Sequence, residues 1–190
     1  MLNQRIEGLY GITPNQDLDI TLIENAIKAH QINILQYRRK IKDEQLKLNE
    51  AKKLQELCLE HNTLFIVNDD VNLCEKLGAD GVHLGQKDVD IYSARRQLGE
   101  EFIIGVSCYN SLKLAIEAEN KGANYIALGA IFQSATKPNA VSCSLSTIQT
   151  IREKITIPIV GIGGINFINQ KHVYESGCNS VAMIEALFSN

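Results

Sequence analysis

Gln36, Arg38 and Lys40 stand two residues apart at the end of an apolar run. An extended chain puts such positions on one face. Three long polar groups on one face are costly to bury without a ligand, although a solvated basic edge would look the same. Asn68-Asp69-Asp70 follows the next apolar run, and Gly85-Gln86-Lys87-Asp88 the one after it. Asp70 is placed to cap a helix beginning at Val71. Asp88 is either the cap of a further helix or, with Asp69, half of a carboxylate pair for a hard cation such as Mg²⁺, which takes one or two protein carboxylates and completes its shell with water and phosphate oxygens. Ser107 ends another run. Ser134, Thr136 and Lys137 offer hydroxyls and an ammonium to phosphate oxygens, unless Lys137-Pro138 is only a surface turn. Gly161-Ile-Gly-Gly164 lets backbone N–H groups approach a phosphate closely. Together these residues describe a metal-bridged diphosphate with a second phosphate beside a Gly-rich turn.

Covalent catalysis has less support. The sequence has no Gly-x-Ser-x-Gly elbow and no His spacing suited to zinc. Cys108 has no neighbouring base to activate it. His83 lies inside an apolar run and reads as a satisfied core histidine.

The elements that must position these groups are short β-branched runs alternating with amphipathic stretches. The runs are 9–13, 32–38, 64–69, 81–85, 103–107, 125–131, 158–163 and 180–184. Helical spacing follows Asp43, Asp70, Ser111 and Ser144, each a good N-cap. Leu77-Gly-Ala-Asp, Lys121-Gly-Ala-Asn and Ser176-Gly-Cys-Asn recur before three of the runs, so Gly78, Gly122 and Gly177 are expected in the left-handed conformation that ends a helix. Eight βα units predict an α/β protein of the (β/α)₈ TIM-barrel type, with a doubly wound sheet or a solenoid as alternatives. After the eighth run only residues 185–190 remain, so the barrel is short and its final helix truncated or missing.

Composition narrows the function. The chain has 190 residues, 45% hydrophobic and 22% charged, enough for one domain spanning 1–190. Its net charge of −3 argues against a nucleic-acid partner. No apolar run is long enough for a membrane span, and the N-terminus lacks the pattern of a secretory signal. Five scattered cysteines without a Cys-x-x-Cys pair predict reduced thiols and a cytoplasmic location.

Several segments, in order and over nearly the whole chain, resemble thiamine phosphate synthases: Gln36-Tyr-Arg-Arg-Lys40, Phe65-Ile-Val-Asn-Asp-Asp70, Ala79-Asp-Gly-Val-His-Leu-Gly-Gln-Lys-Asp88, Gly105-Val-Ser107, Thr136-Lys137 and Pro158-Ile-Val-Gly-Ile-Gly-Gly-Ile165. The resemblance implies a (β/α)₈ barrel joining 4-amino-5-hydroxymethyl-2-methylpyrimidine diphosphate to a thiazole phosphate, giving thiamine phosphate and pyrophosphate. It implies that Gln36, Tyr37, Arg38, Arg39, Lys40 and Asn68 hold the pyrimidine diphosphate and that Asp69 and Asp88 bind Mg²⁺. Ser107 and Lys137 would contact the pyrimidine substrate. Ser134, Ala135, Thr136, Gly164, Ile184 and Glu185 would form the thiazole phosphate pocket. Arg38, Lys40, Ser107 and Lys137 are the catalytic candidates. The partners implied are these two small molecules, and the oligomeric state stays open, a homodimer included. The chain departs from the family pattern with Glu185 for a usual Ser, Gln133-Ser134-Ala135 for Pro-Thr-x, Tyr109 for His, and Thr13-Pro14 for Thr-Asp. The alternatives are a sister branch acting as a thiazole phosphate tautomerase, and a non-catalytic sensor of thiamine precursors.

Overall fold

The computed structural model describes residues 6–133 and 141–188. Eight parallel strands alternate with helices: β1 (Gly8–Ile12), α1 (Ile20–His30), β2 (Ile34–Tyr37), α2 (Glu44–Glu60), β3 (Leu64–Asn68), α3 (Val71–Leu77), β4 (Gly81–Leu84), α4 (Ile91–Leu98), β5 (Ile103–Tyr109), α5 (Leu112–Asn120), β6 (Tyr125–Leu128), α6 (Leu145–Arg152), β7 (Ile159–Ile162), α7 (Gln170–Glu175), β8 (Ser180–Met183) and α8 (Glu185–Phe188). The strands close into a barrel in chain order, β8 returning to β1 through Gly8 and Ser180. The doubly wound sheet and the solenoid are thereby excluded. The final helix is a four-residue stub. No helix among the described residues is long and apolar enough to cross a membrane.

The eight expected strands are all present, but their ends differ. β2 stops at Tyr37 because the backbone N–H of Arg38 turns to Thr13 Oγ1 at 2.8 Å. β5 runs past Ser107 to Tyr109 through a bulge. The expected caps Asp43, Asp70, Ser111 and Ser144 each accept from a backbone N–H in the first turn of their helix. The cap of α4 is Asp90, not Asp88. Sequence spacing had not singled out α1, whose buried face is Ile23, Ala26 and Ile27, nor α4 and α7.

The Gly-x-Asx repeat has a structural reason. Gly78, Gly122 and Gly177 take φ of 60°, 84° and 103°, as a helix exit requires. The Asx two residues later reaches sideways at the bottom of the barrel. Asp80 Oδ2 accepts from Phe65 N of β3, Asn124 Oδ1 from Ile104 N of β5, and Asn179 Oδ1 from Ile159 N of β7. A fourth copy is hidden in Gln31-Ile-Asn33: Gln31 takes φ 52° without being glycine, and Asn33 Oδ1 accepts from Leu9 N of β1. Each even strand therefore clasps the odd strand before it.

Alternation along the strands separates two cores. Tyr10, Ile12, Ile34, Ile66, Ile103, Tyr125, Val160 and Ala182 fill the barrel interior. Leu35, Tyr37, Phe65, Val67, Val82 and Leu84 face the helices in the larger outer cluster. All five cysteines are free and buried, and burial raises each thiol pKa, that of Cys143 to about 11. Inside the barrel the Tyr125 ring lies over Gly105, where an added Cβ would fall 2.0 Å from Tyr125 Cζ. Gly105→Ala is therefore expected to lower unfolding free energy by about 1–3 kcal/mol, the usual cost of overpacking. Urea titrations should show that this cost shrinks in a Tyr125→Leu background. An equal cost in both backgrounds would refute the clash.

Candidate active site

The loops after β3 and β4 bring two carboxylates together. Asn68 ends β3 on the inward face, paired with His83. Asp69 then takes φ +63°, a left-handed conformation that Asp tolerates at some cost, while its N–H donates to His83 O at 2.8 Å. Asp70 is committed elsewhere: it caps α3 through Leu73 N and pairs with Lys47 Nζ at 2.8 Å. Across the gap, Asp88 Oδ2 accepts from Gly85 N at 2.7 Å and closes its loop. The Asp69 and Asp88 carboxylates then lie close enough to interact. Burial, followed by the Asp88 carboxylate, raises the Asp69 pKa, against a weaker pull from Lys40, whose Nζ is 4.0 Å away. Two facing carboxylates of this kind suit a hard cation. No group of three or more His, Cys, Asp or Glu side chains gathers among the described residues. The pair therefore fits an ion that takes most of its ligands from water and substrate, and does not fit a closed structural metal cage.

The loop after β2 is held by the loop after β1. Thr13 Oγ1 accepts from Arg38 N and donates to Arg38 O at 3.3 Å, and Asn15 Oδ1 accepts from Lys40 N at 2.7 Å. Gln36 and Arg38 line the barrel mouth, and Lys40 lies at the exposed rim beside Asp69. Tyr37 and Arg39 take the opposite phase. Tyr37 Oη donates to Glu50 Oε2 at 2.9 Å, and the Arg39 guanidinium spans Asp17 and Glu50 at 2.6 and 3.3 Å. The structure thus directs their polar ends to the helix layer, because a strand alternates its side chains. Their remaining exposure is to a small pocket of about 160 Å³ shared with Lys40, Lys47, Asn68 and Asp69.

The mouth itself is a cavity of about 920 Å³, large enough for two small ligands. Its floor is a hydrogen-bonded row. Gln36 Nε2 donates to Tyr10 Oη at 2.8 Å, Tyr10 Oη meets Tyr125 Oη at 2.8 Å, Tyr125 Oη meets His83 Nδ1 at 3.0 Å, and His83 Nε2 meets Ser107 Oγ at 2.9 Å. Burial lowers the His83 pKa to about 4 and raises those of Tyr10 and Tyr125, so all three are neutral at neutral pH. His83 is satisfied, as expected, but it also lines the cavity. Tyr10 and Tyr125 had no distinguishing signal in sequence. Each sits in an apolar run, and only the barrel register shows them to be inward.

The far wall is built from the ends of β7 and β8. Gly163 and Gly164 take φ of 108° and 58°. A Cβ on Gly164 would lie 2.4 Å from Gln133 O, so this turn packs directly against the loop after β6. Gly164, Ile184 and Glu185 line the same cavity as Arg38 and Ser107, with Glu185 opening α8. Ser134, Ala135, Thr136 and Lys137 lie outside the described residues.

Comparison with known proteins agrees with this geometry. Residues 9–187 match the family model for thiamine monophosphate synthase. The chain is 45% identical over 186 residues to a thiamine-phosphate synthase of Chromobacterium violaceum, covering 97% of this chain and 89% of that one. It is 41% identical over 189 residues to the corresponding enzyme of Thioalkalivibrio sulfidiphilus, covering 98% and 90%. Among solved structures it is similar to a thiamine phosphate pyrophosphorylase from Pyrococcus furiosus, with TM-score 0.89, 32% identity, and coverage of 100% and 91%. A Clostridium perfringens N-acetylmannosamine-6-phosphate 2-epimerase, at TM-score 0.72 and 10% identity, shares the fold alone. A matched span that runs from β1 to α8, together with these relatives, places the chain in the thiamine monophosphate synthase family.

Proposed function

We propose that the barrel mouth joins an aminopyrimidine methyl diphosphate to a thiazole phosphate, releasing pyrophosphate and giving thiamine phosphate. The observation that carries this reading is the proximity of Asp69 and Asp88 at a rim that also holds Lys40, with Arg38 in the adjoining cavity. A tautomerase acting on the thiazole phosphate alone would need no such acid–base rim.

Asp69 and Asp88 would hold Mg²⁺, whose charge, when it is bound, offsets that of the diphosphate. Arg38 and Lys40 would contact the leaving oxygens, joined by Lys137 from the loop after β6. These cations act most strongly as charge builds on the departing group, so they favour the transition state over bound substrate. The C–O bond to the diphosphate breaks, the electron-rich pyrimidine delocalises the positive charge left on its methylene carbon, and the thiazole nitrogen supplies the pair for the new C–N bond. Gln36, Asn68 and Ser107 would seat the pyrimidine. Gly164 and Ile184, with Ser134, Ala135 and Thr136, would seat the thiazole phosphate, and Glu185 faces that subsite. Tyr37 and Arg39 support the β2 loop through Glu50 and Asp17 and act on the diphosphate indirectly. The mouth holds both substrates together, which supplies the orientation that a bimolecular reaction lacks. No protein nucleophile is needed. The buried, free thiols suit the cytoplasmic setting inferred from the cysteine pattern.

Supplying both substrates with Mg²⁺ should yield thiamine phosphate and pyrophosphate in equal amounts. Absence of product would reject this function. Asp69→Asn is expected to raise the Mg²⁺ concentration for half-maximal rate by at least the roughly 10–100-fold that loss of an outer metal partner costs. An unchanged Mg²⁺ requirement would remove Asp69 from the metal site. Arg38→Gln is expected to lower kcat by about 10²–10³, as for loss of one transition-state donor, measured as pyrophosphate release at saturating substrates.

A further inference from the structure

The floor of the cavity has a direction that hydrogen counting reveals. Gln36 Nε2 can only donate, so Tyr10 Oη is its acceptor. Tyr10 has one hydroxyl hydrogen, and its other partner is Tyr125 Oη. Sending that hydrogen to Tyr125 leaves none unused in the buried row, and Tyr125 then sends its own to His83 Nδ1. A neutral imidazole that accepts at Nδ1 carries its hydrogen at Nε2, which donates to Ser107 Oγ. The hydrogen left over at the end of the row is that of Ser107, on a residue that lines the cavity. At the other end, the amide oxygen of Gln36 has no partner among the described residues. Ring packing keeps the row in line. Tyr125 stands 6.2 Å from Tyr10 and 5.5 Å from His83 between ring centroids, in the space that Gly105 leaves.

We propose that Tyr10 and Tyr125 are positioning residues that fix the donor direction of this floor, so that Ser107 offers a hydrogen and Gln36 a carbonyl oxygen to the heterocycle of the substrate. The inference rests on the synthase reading for the identity of that heterocycle. A ring nitrogen acceptor across the ring from an exocyclic amine, as in a 4-aminopyrimidine, is the complement of a floor whose donor and acceptor stand at opposite ends. With the opposite polarity, Ser107 would donate inward to His83 and present only lone pairs to the ligand, and ring-nitrogen recognition would be lost. Neither tyrosine needs to touch the substrate for this effect, because each acts through the next hydroxyl or imidazole in the row.

The test reads the tautomer directly. In the free protein, ¹⁵N-histidine two-bond correlation spectra, with His83 assigned by its loss in His83→Asn, should show the hydrogen on Nε2. Tyr125→Phe keeps the ring over Gly105 but removes the hydrogen aimed at Nδ1, and should shift His83 toward the Nδ1–H form. The same variant should raise KM for the pyrimidine diphosphate about tenfold, the worth of one hydrogen bond, with kcat little changed. Adding Ser107→Ala should then cost little more. Hydrogen on Nδ1 in the unsubstituted protein would overturn the proposal, even if Tyr125→Phe failed to fold. A tautomer unmoved by Tyr125→Phe would overturn it as well. The spectra need no substrate, so this result stands apart from the outcome of the turnover assay.

Discussion

The polar groups at the mouth depend on strand register, and register is pinned at the opposite end of the barrel. Four Asx side chains at the bottom accept a backbone N–H from the first two residues of the neighbouring odd strand: Asn33, Asp80, Asn124 and Asn179. A strand that slipped by one residue would exchange its inward and outward side chains. Gln36 would leave the cavity and Tyr37 would enter it; His83 would be replaced by Val82 or Leu84. The site chemistry is therefore only as well defined as these four hydrogen bonds and the left-handed residues that aim them. Three of those residues are glycine, and Gln31 shows that the conformation, not the absence of a side chain, is what the position demands.

Above that frame the mouth holds an electrostatic conflict. Asp69 is half-buried against another carboxylate and kept in a left-handed backbone conformation. Lys40 relieves the conflict only partly, because its ammonium is exposed and 4.0 Å distant. The adjacent Asp70 shows what a settled carboxylate looks like in the same loop: it caps a helix, pairs with Lys47, and has a lowered pKa despite its burial. Neighbouring residues of identical chemistry thus stand in opposite environments, one paired and capping a helix and one facing a like charge. Strain and like-charge proximity at Asp69 are why the proposed function assigns it, and not Asp70, to the metal.

Much of this could be read from the chain alone. The eight strands, the glycines that end helices and the acidic and basic groups on the loops after β2, β3 and β4 all follow from residue type and spacing. Other features could not be read that way. A contiguous stretch such as Gln36 to Lys40 looks uniform in sequence, but alternation divides it, and Arg39 finds Asp17 and Glu50 in the helix layer. Asp88 is the cap that spacing suggests, and only helix geometry assigns the cap to Asp90 and frees Asp88 for its turn with Gly85. Tyr10 and Tyr125 are separated by 115 positions and belong to apolar runs, so their contact exists only once the barrel closes.

The pairing of strands at the barrel base also sorts the mouth into mechanical units. The two acids rise from β3 and β4, which share one clasp, whereas the basic loop rises from β2, clasped instead to β1. Thr13 and Asn15 tie that basic loop to its own partner strand's loop once more at the top. The cations and the acids therefore stand on different clasped pairs, joined to each other by the β2–β3 ladder, whereas the two acids share a pair.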